Sequence, residues 1–317
     1  VALVQEGIEL RQAGINAPIL IMSEQPEEQF RDIIQYGLIA TLYNESTIVH
    51  FARTASELEI MASVHVKVDS GMHRVGAQPD NAVRVASLVA ESQWLTLDGM
   101  FTHLATADVA DTQFAQQQVS IFTRAVEQVR SFEIEVRHVH ISNSASAIRK
   151  LDSGVDCTMA RVGIAMYGIP GDAATNSFGA VHQLELRPVM SVHARVSHVQ
   201  RVVAGQGVSY GLKRPLESGA TIATLPLGYA DGVPRGLWES GFVLINGIRY
   251  PFAGVVTMDQ VLVNCGNDEV SIGDEAVLIG EQGPECITAN DWANKMGTIG
   301  YEIVCAISAR MPRNYIN

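Results

Sequence analysis

Two tyrosines stand in glycine-rich turns, one in Gly207-Val208-Ser209-Tyr210-Gly211 and one in Leu225-Pro226-Leu227-Gly228-Tyr229-Ala230-Asp231-Gly232. Glycine permits a tight turn, and a tyrosine fixed there presents its hydroxyl to a cleft. A phenol titrates near ~10, so it serves as a base only where a cation favours its charged form. A pair of hairpin turns with half-buried aromatics accounts for the same residues equally well.

A second cluster is Lys67-Val68-Asp69-Ser70-Gly71-Met72-His73-Arg74. Lys67 lies in an apolar run, where an amine is costly unless it is paired or modified. A structural Lys67–Asp69 pair is the simpler account. Arg74 is suited to a carboxylate in bidentate fashion, or it is merely solvated. His103 follows another apolar run, as a base or as a satisfied polar residue. Asn143 and Ser144, in His140-Ile141-Ser142-Asn143-Ser144, offer donors to a phosphate or simply cap a helix. In Arg161-Val162-Gly163-Ile164, Gly163 lets backbone N–H groups approach an anion, with Arg161 beside it.

These residues share a position in a repeating pattern. Up to about Pro170, short apolar runs alternate with amphipathic helices. The runs are 18–22, 38–43, 64–68, 97–102, 136–141 and 159–165, with a stub at Val1. Such alternation means parallel strands covered by helices. An open doubly wound sheet would fit it too. A barrel is preferred, because the polar residues follow strand after strand at the carboxyl ends, which a closed barrel gathers around one mouth. A complete barrel takes roughly 250 residues, and this one ends near residue 180, so about a quarter is expected to be absent. The start at Val1, as if at the end of a strand, suggests that the first one to two strands are missing. Beyond Pro188, β-branched runs alternate with glycine turns: 192–203, 220–226, 242–245, 251–256, 260–263 and 276–279. Asn246-Gly247 is a hairpin signal, and Thr288 is placed to cap a helix over 288–296. The expected organisation is a (β/α)8 TIM-type barrel over 1–185 and an all-β domain over 186–317.

The net charge of −12 over 317 residues argues against a nucleic-acid or membrane-surface partner. No apolar run is long enough to span a bilayer. The four cysteines lack any C-x-x-C spacing, so neither a metal site nor a disulfide framework is expected, and a cytoplasmic location is.

The combination resembles alanine racemase, a pyridoxal-phosphate enzyme of fold type III. The resemblance rests on Val66-Lys67-Val68-Asp69-Ser70-Gly71-Met72, Thr102-His103, Ser142-Asn143-Ser144-Ala145, Arg161-Val162-Gly163, Val208-Ser209-Tyr210-Gly211, Gly228-Tyr229-Ala230-Asp231-Gly232, Met258-Asp259-Gln260 and Gly300-Tyr301-Glu302. It implies a head-to-tail homodimer that interconverts L- and D-alanine with two bases and supplies D-alanine for peptidoglycan. By resemblance, Tyr210 is the base for L-alanine, given into the partner's barrel, and His103 and Arg161 are the chain that touches it. Arg161 also faces the pyridine nitrogen; because arginine keeps its proton, that nitrogen stays unprotonated, which favours reprotonation at Cα over transamination. Asn143, Ser144, Gly163, Ile164 and Tyr301 match cofactor contacts. Arg74 matches the partner of the substrate carboxylate and cofactor phenolate, and Met258 matches the residue whose backbone N–H meets the substrate carboxylate from the partner subunit. Tyr229 and Asp259 line the same entrance, and Lys67 matches a lysine that many members carry as a carbamate. The family's cofactor lysine lies in a first-strand motif that this sequence lacks. Its four lysines are Lys67, Lys150, Lys213 and Lys295, so the chain as written is expected to be inactive. A related serine or broad-specificity racemase, and a decayed non-catalytic homologue, are the alternatives.

Overall fold

The structure, a computed structural model, describes residues 1–170 and 185–316. By packing, the chain separates into Val1–Gly163 and Ile164–Asn317. This differs from the 185/186 boundary expected from sequence. The reason is that Ile164 and Ile169 pack into the second unit's core, together with Val192, Leu225 and Trp292. The expected end of the barrel near residue 180 lies outside the described residues.

In the first unit, β1 (Ala40–Leu42), β2 (Ala62–Lys67), β3 (Leu95–Phe101) and β4 (His138–His140) form a parallel sheet in that order. Their residues are buried almost without interruption, as expected of strands covered on both faces. Single parallel bridges extend the arc at either end, Leu20 to Ile39 and Asn143 to Arg161. The expected strands at 18–22 and 159–165 are thus reduced to one bridge each.

The helices are α1 (Val4–Gln12), α2 (Phe30–Gln35), α3 (Glu45–Leu58), α4 (Ala82–Ala90), α5 (Gln113–Ser131) and α6 (Ser144–Arg149). Helical spacing puts Ile48, Phe51 and Ala55 of α3 on one buried face, and Ala115, Gln118, Phe122, Val126 and Val129 of α5 on another. Each such large side chain contributes about 1.5–3 kcal/mol through burial. Buried Gln118 does more than pack. Its Oε1 accepts the Ala105 N–H at 2.8 Å and its Nε2 donates to His103 O at 3.2 Å, fixing the loop that follows β3.

The ladder between β2 and β3 is not uniform. Val64 pairs with Leu97 but His65 pairs with Gly99, so Asp98 is an extra residue, a β-bulge.

In the second unit, β5 (Val192–Arg195), β6 (His198–Val202), β7 (Ala220–Leu225), β8 (Phe242–Ile245), β9 (Ile248–Pro251), β10 (Val261–Asn264), β11 (Glu275–Gln282) and β12 (Glu285–Ile287) build two sheets. One runs β10-β7-β6; the other runs β12-β11-β8-β9, with β5 also on β11. The expected single run 192–203 splits because Val196 N–H bonds Asp274 O while Ser197 N–H bonds Thr224 O, handing the chain from one sheet to the other. The expected strand at 251–256 stops at its start. Gly254 has φ +139°, and a Cβ there would lie 2.3 Å from Val208 O. Asn246 (φ 53°) and Gly247 (φ 76°) make the β8–β9 hairpin turn. Thr288 caps α7 (Ala289–Met296) in a reciprocal box with Asp291. A further helix, α8 (Gly300–Ala306), was not expected from sequence.

Candidate active site

At the carboxyl ends of the parallel strands, Arg161 is the centre of a buried polar network. Its Nη1 donates to His140 Nδ1 at 2.6 Å. Its Nη2 donates to Thr102 O at 2.6 Å and to Ile141 O at 2.8 Å, with His103 Nδ1 at 3.3 Å. The guanidinium lies 5.1 Å from the Phe101 ring centroid. Its buried Nε has no partner among the described residues.

Burial, reinforced by the Arg161 cation, pushes His103 down to about 4 and His140 down to about 2. Both imidazoles are therefore neutral near neutral pH. Arginine nitrogens only donate, so His103 Nδ1 accepts and its Nε2 carries the hydrogen.

Beside this network, Asn143 Oδ1 accepts the Ser146 N–H at 2.9 Å and caps α6, so the capping account of Asn143 holds. Ser144 Oγ accepts the Gly163 N–H at 3.0 Å. A Cβ at Gly163 would meet no atom within 4 Å, so the backbone there lies open to a small anion.

Lys67 is buried at the end of β2, with its Nζ 5.4 Å from the Phe101 ring centroid. The expected Lys67–Asp69 pair is not formed. The Asp69 carboxylate instead accepts the backbone N–H groups of Gly71 and His73, each at 3.0 Å, which organises its own loop. Burial first, then Arg74 and Arg161, lower Lys67 to about 8. Arg74 is exposed on that same loop.

The remaining sequence candidates belong to the second unit. Tyr210 is 70% exposed at the tip of a turn held by positive φ at Ser209, Gly211 and Leu212. Ser209 Oγ donates to Val255 O at 2.6 Å and ties that turn to the Gly254 loop. Tyr229 N–H bonds Thr257 O, and Ala230 N–H bonds Met258 O, both at 3.0 Å. Gly228 makes this clasp fit, since a Cβ would lie 2.1 Å from Thr257 O. Met258 and Tyr229 are exposed. Asp259 takes Arg310 Nη2 at 2.6 Å, and Arg310 Nε donates to buried Asp231 at 2.7 Å. Ile164 begins a 3-10 turn and Tyr301 lies in α8.

Sequence reasoning missed Arg310, His65 and the role of His140. An arginine far along the chain gives no local signal, and the two histidines read as ordinary strand residues. Among the described residues no group of His, Cys, Asp or Glu is placed to hold a metal ion, and no helix is long and apolar enough to cross a membrane.

The profile of the alanine racemase N-terminal domain matches residues 1–170, and that of the alanine racemase C-terminal domain matches 189–315. The chain is 38% identical over 318 residues to the alanine racemase of Halothermothrix orenii, spanning all of this chain and 82% of that protein. Its structure resembles that of alanine racemase from D-cycloserine-producing Streptomyces lavendulae, with a TM-score of 0.93 and 32% identity, covering 100% of this chain and 82% of that one. It also resembles the Bacillus anthracis alanine racemase with bound L-Ala-P, with a TM-score of 0.90 and 33% identity, covering 99% and 79%. With both domains matched and an α/β barrel-type unit followed by a β-sheet unit, the chain belongs to the alanine racemase family.

Proposed function

We propose that the protein is an amino-acid isomerase that interconverts L- and D-alanine with pyridoxal 5'-phosphate. The observation that carries this is Arg161: a guanidinium fixed by two histidines and two carbonyls, whose buried Nε has no partner among the described residues. A ring nitrogen with a lone pair satisfies that buried donor, and the open backbone at Gly163 beside Ser144 suits a phosphate, so the residues fit the cofactor. When bound, the cofactor supplies the electron withdrawal that makes the alanine Cα–H acidic.

The chain's own groups then divide the work. Arg161 would face the ring nitrogen and, because arginine keeps its proton, would leave that nitrogen unprotonated, which would favour reprotonation at Cα over transamination. Ser144 and Gly163 would hold the phosphate end, with Asn143 shaping the turn; Ile164 and Tyr301 match phosphate contacts by family resemblance. Arg74 would bind the substrate carboxylate, joined by the Met258 N–H given from the other protomer of the homodimer. Tyr210 takes or returns the proton on one face of Cα, and its exposed position suits donation into a partner's barrel in a head-to-tail homodimer. Tyr229 and Asp259 border the entrance. A carbamate on Lys67 would turn a buried cation into an anion beside Arg74.

None of the four lysines suits the second base that the family's first strand supplies. Lys67 is buried beside Phe101, Lys150 is the left-handed cap of α6, and Lys213 and Lys295 lie over Trp238 and Phe242. The test compares D-alanine formation from L-alanine, with added cofactor, by this chain and by the same chain extended with a relative's first-strand lysine segment. Turnover is expected only in the extended protein, and Tyr210→Phe should reduce it at least about 100-fold. Turnover by the 317-residue chain alone would overturn the lysine reading. An inactive extended protein that binds the cofactor would overturn the alanine assignment.

A further inference from the structure

Arg161 carries a largely buried positive charge, yet among the described residues no carboxylate pairs with it. The hydrogen bonds leading away from it have only one consistent direction. Guanidinium nitrogens donate, so His140 Nδ1 accepts from Arg161 Nη1. A neutral imidazole has one donor and one acceptor, so His140 Nε2 bears the hydrogen and gives it to His65 Nδ1, 2.9 Å away. His65 Nε2 is then the donor to Asp98 Oδ2 at 3.3 Å. Asp98 Oδ1 accepts from Arg137 at 3.3 Å. The chain therefore runs from Arg161 through two fully buried rings to one carboxylate. Aligned hydrogen bonds in a low-dielectric interior polarise one another in the same sense.

The backbone is arranged to admit this chain. Asp98 is the extra residue of the β2–β3 bulge, and a bulge re-aims its side chain. The next residue is Gly99, where a Cβ would lie 2.7 Å from the His138 carbonyl oxygen on β4, 2.7 Å from His65 Cε1 and 2.9 Å from His65 Nδ1, the accepting atom. A residue with a Cβ at 99 would press on both the ring and the β4 backbone.

We propose that Asp98 is a positioning residue, the countercharge of Arg161 acting through His65 and His140, and that it holds both rings as Nε2–H tautomers. The relay does not depend on the proposed reaction; only its effect on turnover does. With Asp98 in place, reversing the relay would aim a hydrogen of His140 at Arg161, so the guanidinium stays oriented with its Nε unpartnered among the described residues.

The test is NMR of the protein labelled with 15N in its histidine rings. In the unsubstituted protein, His65 and His140 should each show a protonated Nε2 and a bare Nδ1 between about pH 5 and 8. In Asp98→Leu the relay has no acceptor at its end, so the two rings should lose their single tautomer, and the His140 signals should shift although residue 98 does not touch that ring. Asp98→Asn keeps an acceptor oxygen and should restore the pattern in part. Arg137→Leu removes the exposed partner of the same carboxylate and should leave His140 unchanged. If Asp98→Leu does not fold, Asp98→Asn, which keeps the shape and removes the charge, should still shift the His140 signals, by less than a full loss of the pattern. A His140 bearing hydrogen on Nδ1, an imidazolium at either ring, or a His140 that moves in neither Asp98→Leu nor Asp98→Asn overturns the proposal.

Discussion

His103 and His140 face the same guanidinium, and burial disfavours a positive charge on either. A depressed folded-state value means that the stability from a neutral histidine is fully present above the unfolded value of ~6.5. For His103 it is lost as pH falls toward about 4. The urea midpoint should therefore drop between neutral pH and that range, and His103→Gln should flatten part of the drop. Lys67 shows the opposite chemistry at close range. An amine lowered to about 8 has an appreciable neutral fraction near neutral pH, as attack on carbon dioxide requires. Protein equilibrated with 13C-bicarbonate should show one carbamate resonance that Lys67→Met removes; its absence from the native protein would count against the modification. The sequence alone marked Lys67, His103 and Arg161 by their places after apolar runs. It did not reveal what they touch, because Asp69 was satisfied by its own loop and His140 reaches Arg161 from the neighbouring strand.

The elements themselves were more legible than their ends. The α5 boundary followed from its apolar period, and β8 from a β-branched run closed by Asn246-Gly247. Strand lengths were not legible where a run passes between sheets, as at Val196 and Ser197, or where Gly254 bends the chain under Val208. The helix at Gly300–Ala306 opens without a side-chain cap, so no start signal stood out. Between elements, a close fit is the clasp of Gly228-Tyr229-Ala230 on Thr257-Met258. Gly228→Ala puts a methyl group 2.1 Å from a carbonyl oxygen that must stay in place. Calorimetry should show a loss of about 2–4 kcal/mol, with Tyr229 displaced.

At the scale of the molecule, each unit has its own core, but the second leaves Tyr210 at 70% and Met258 at 52% exposure on loops held rigid from beneath. Rigid, exposed, partly apolar loops suit contact with another chain. Under the proposed homodimer, sedimentation should show a concentration-dependent dimer, and Met258→Lys should shift it toward monomer. The division into a parallel unit and a β unit could be read from the change of period near Pro188. The seam at Gly163 could not, because it depends on which core Ile164 and Ile169 enter. The bulge at Asp98 carries a different consequence. The pairings on either side of it, Val64 with Leu97 and His65 with Gly99, would remain in step if that one residue were removed. The sheet thus contains a residue that its own ladder could omit, and losing it would heal the strand while deleting the carboxylate. Stability and chemistry are separable at this position by a single codon, and a lineage that gave up the chemistry could drop it without surrendering the fold.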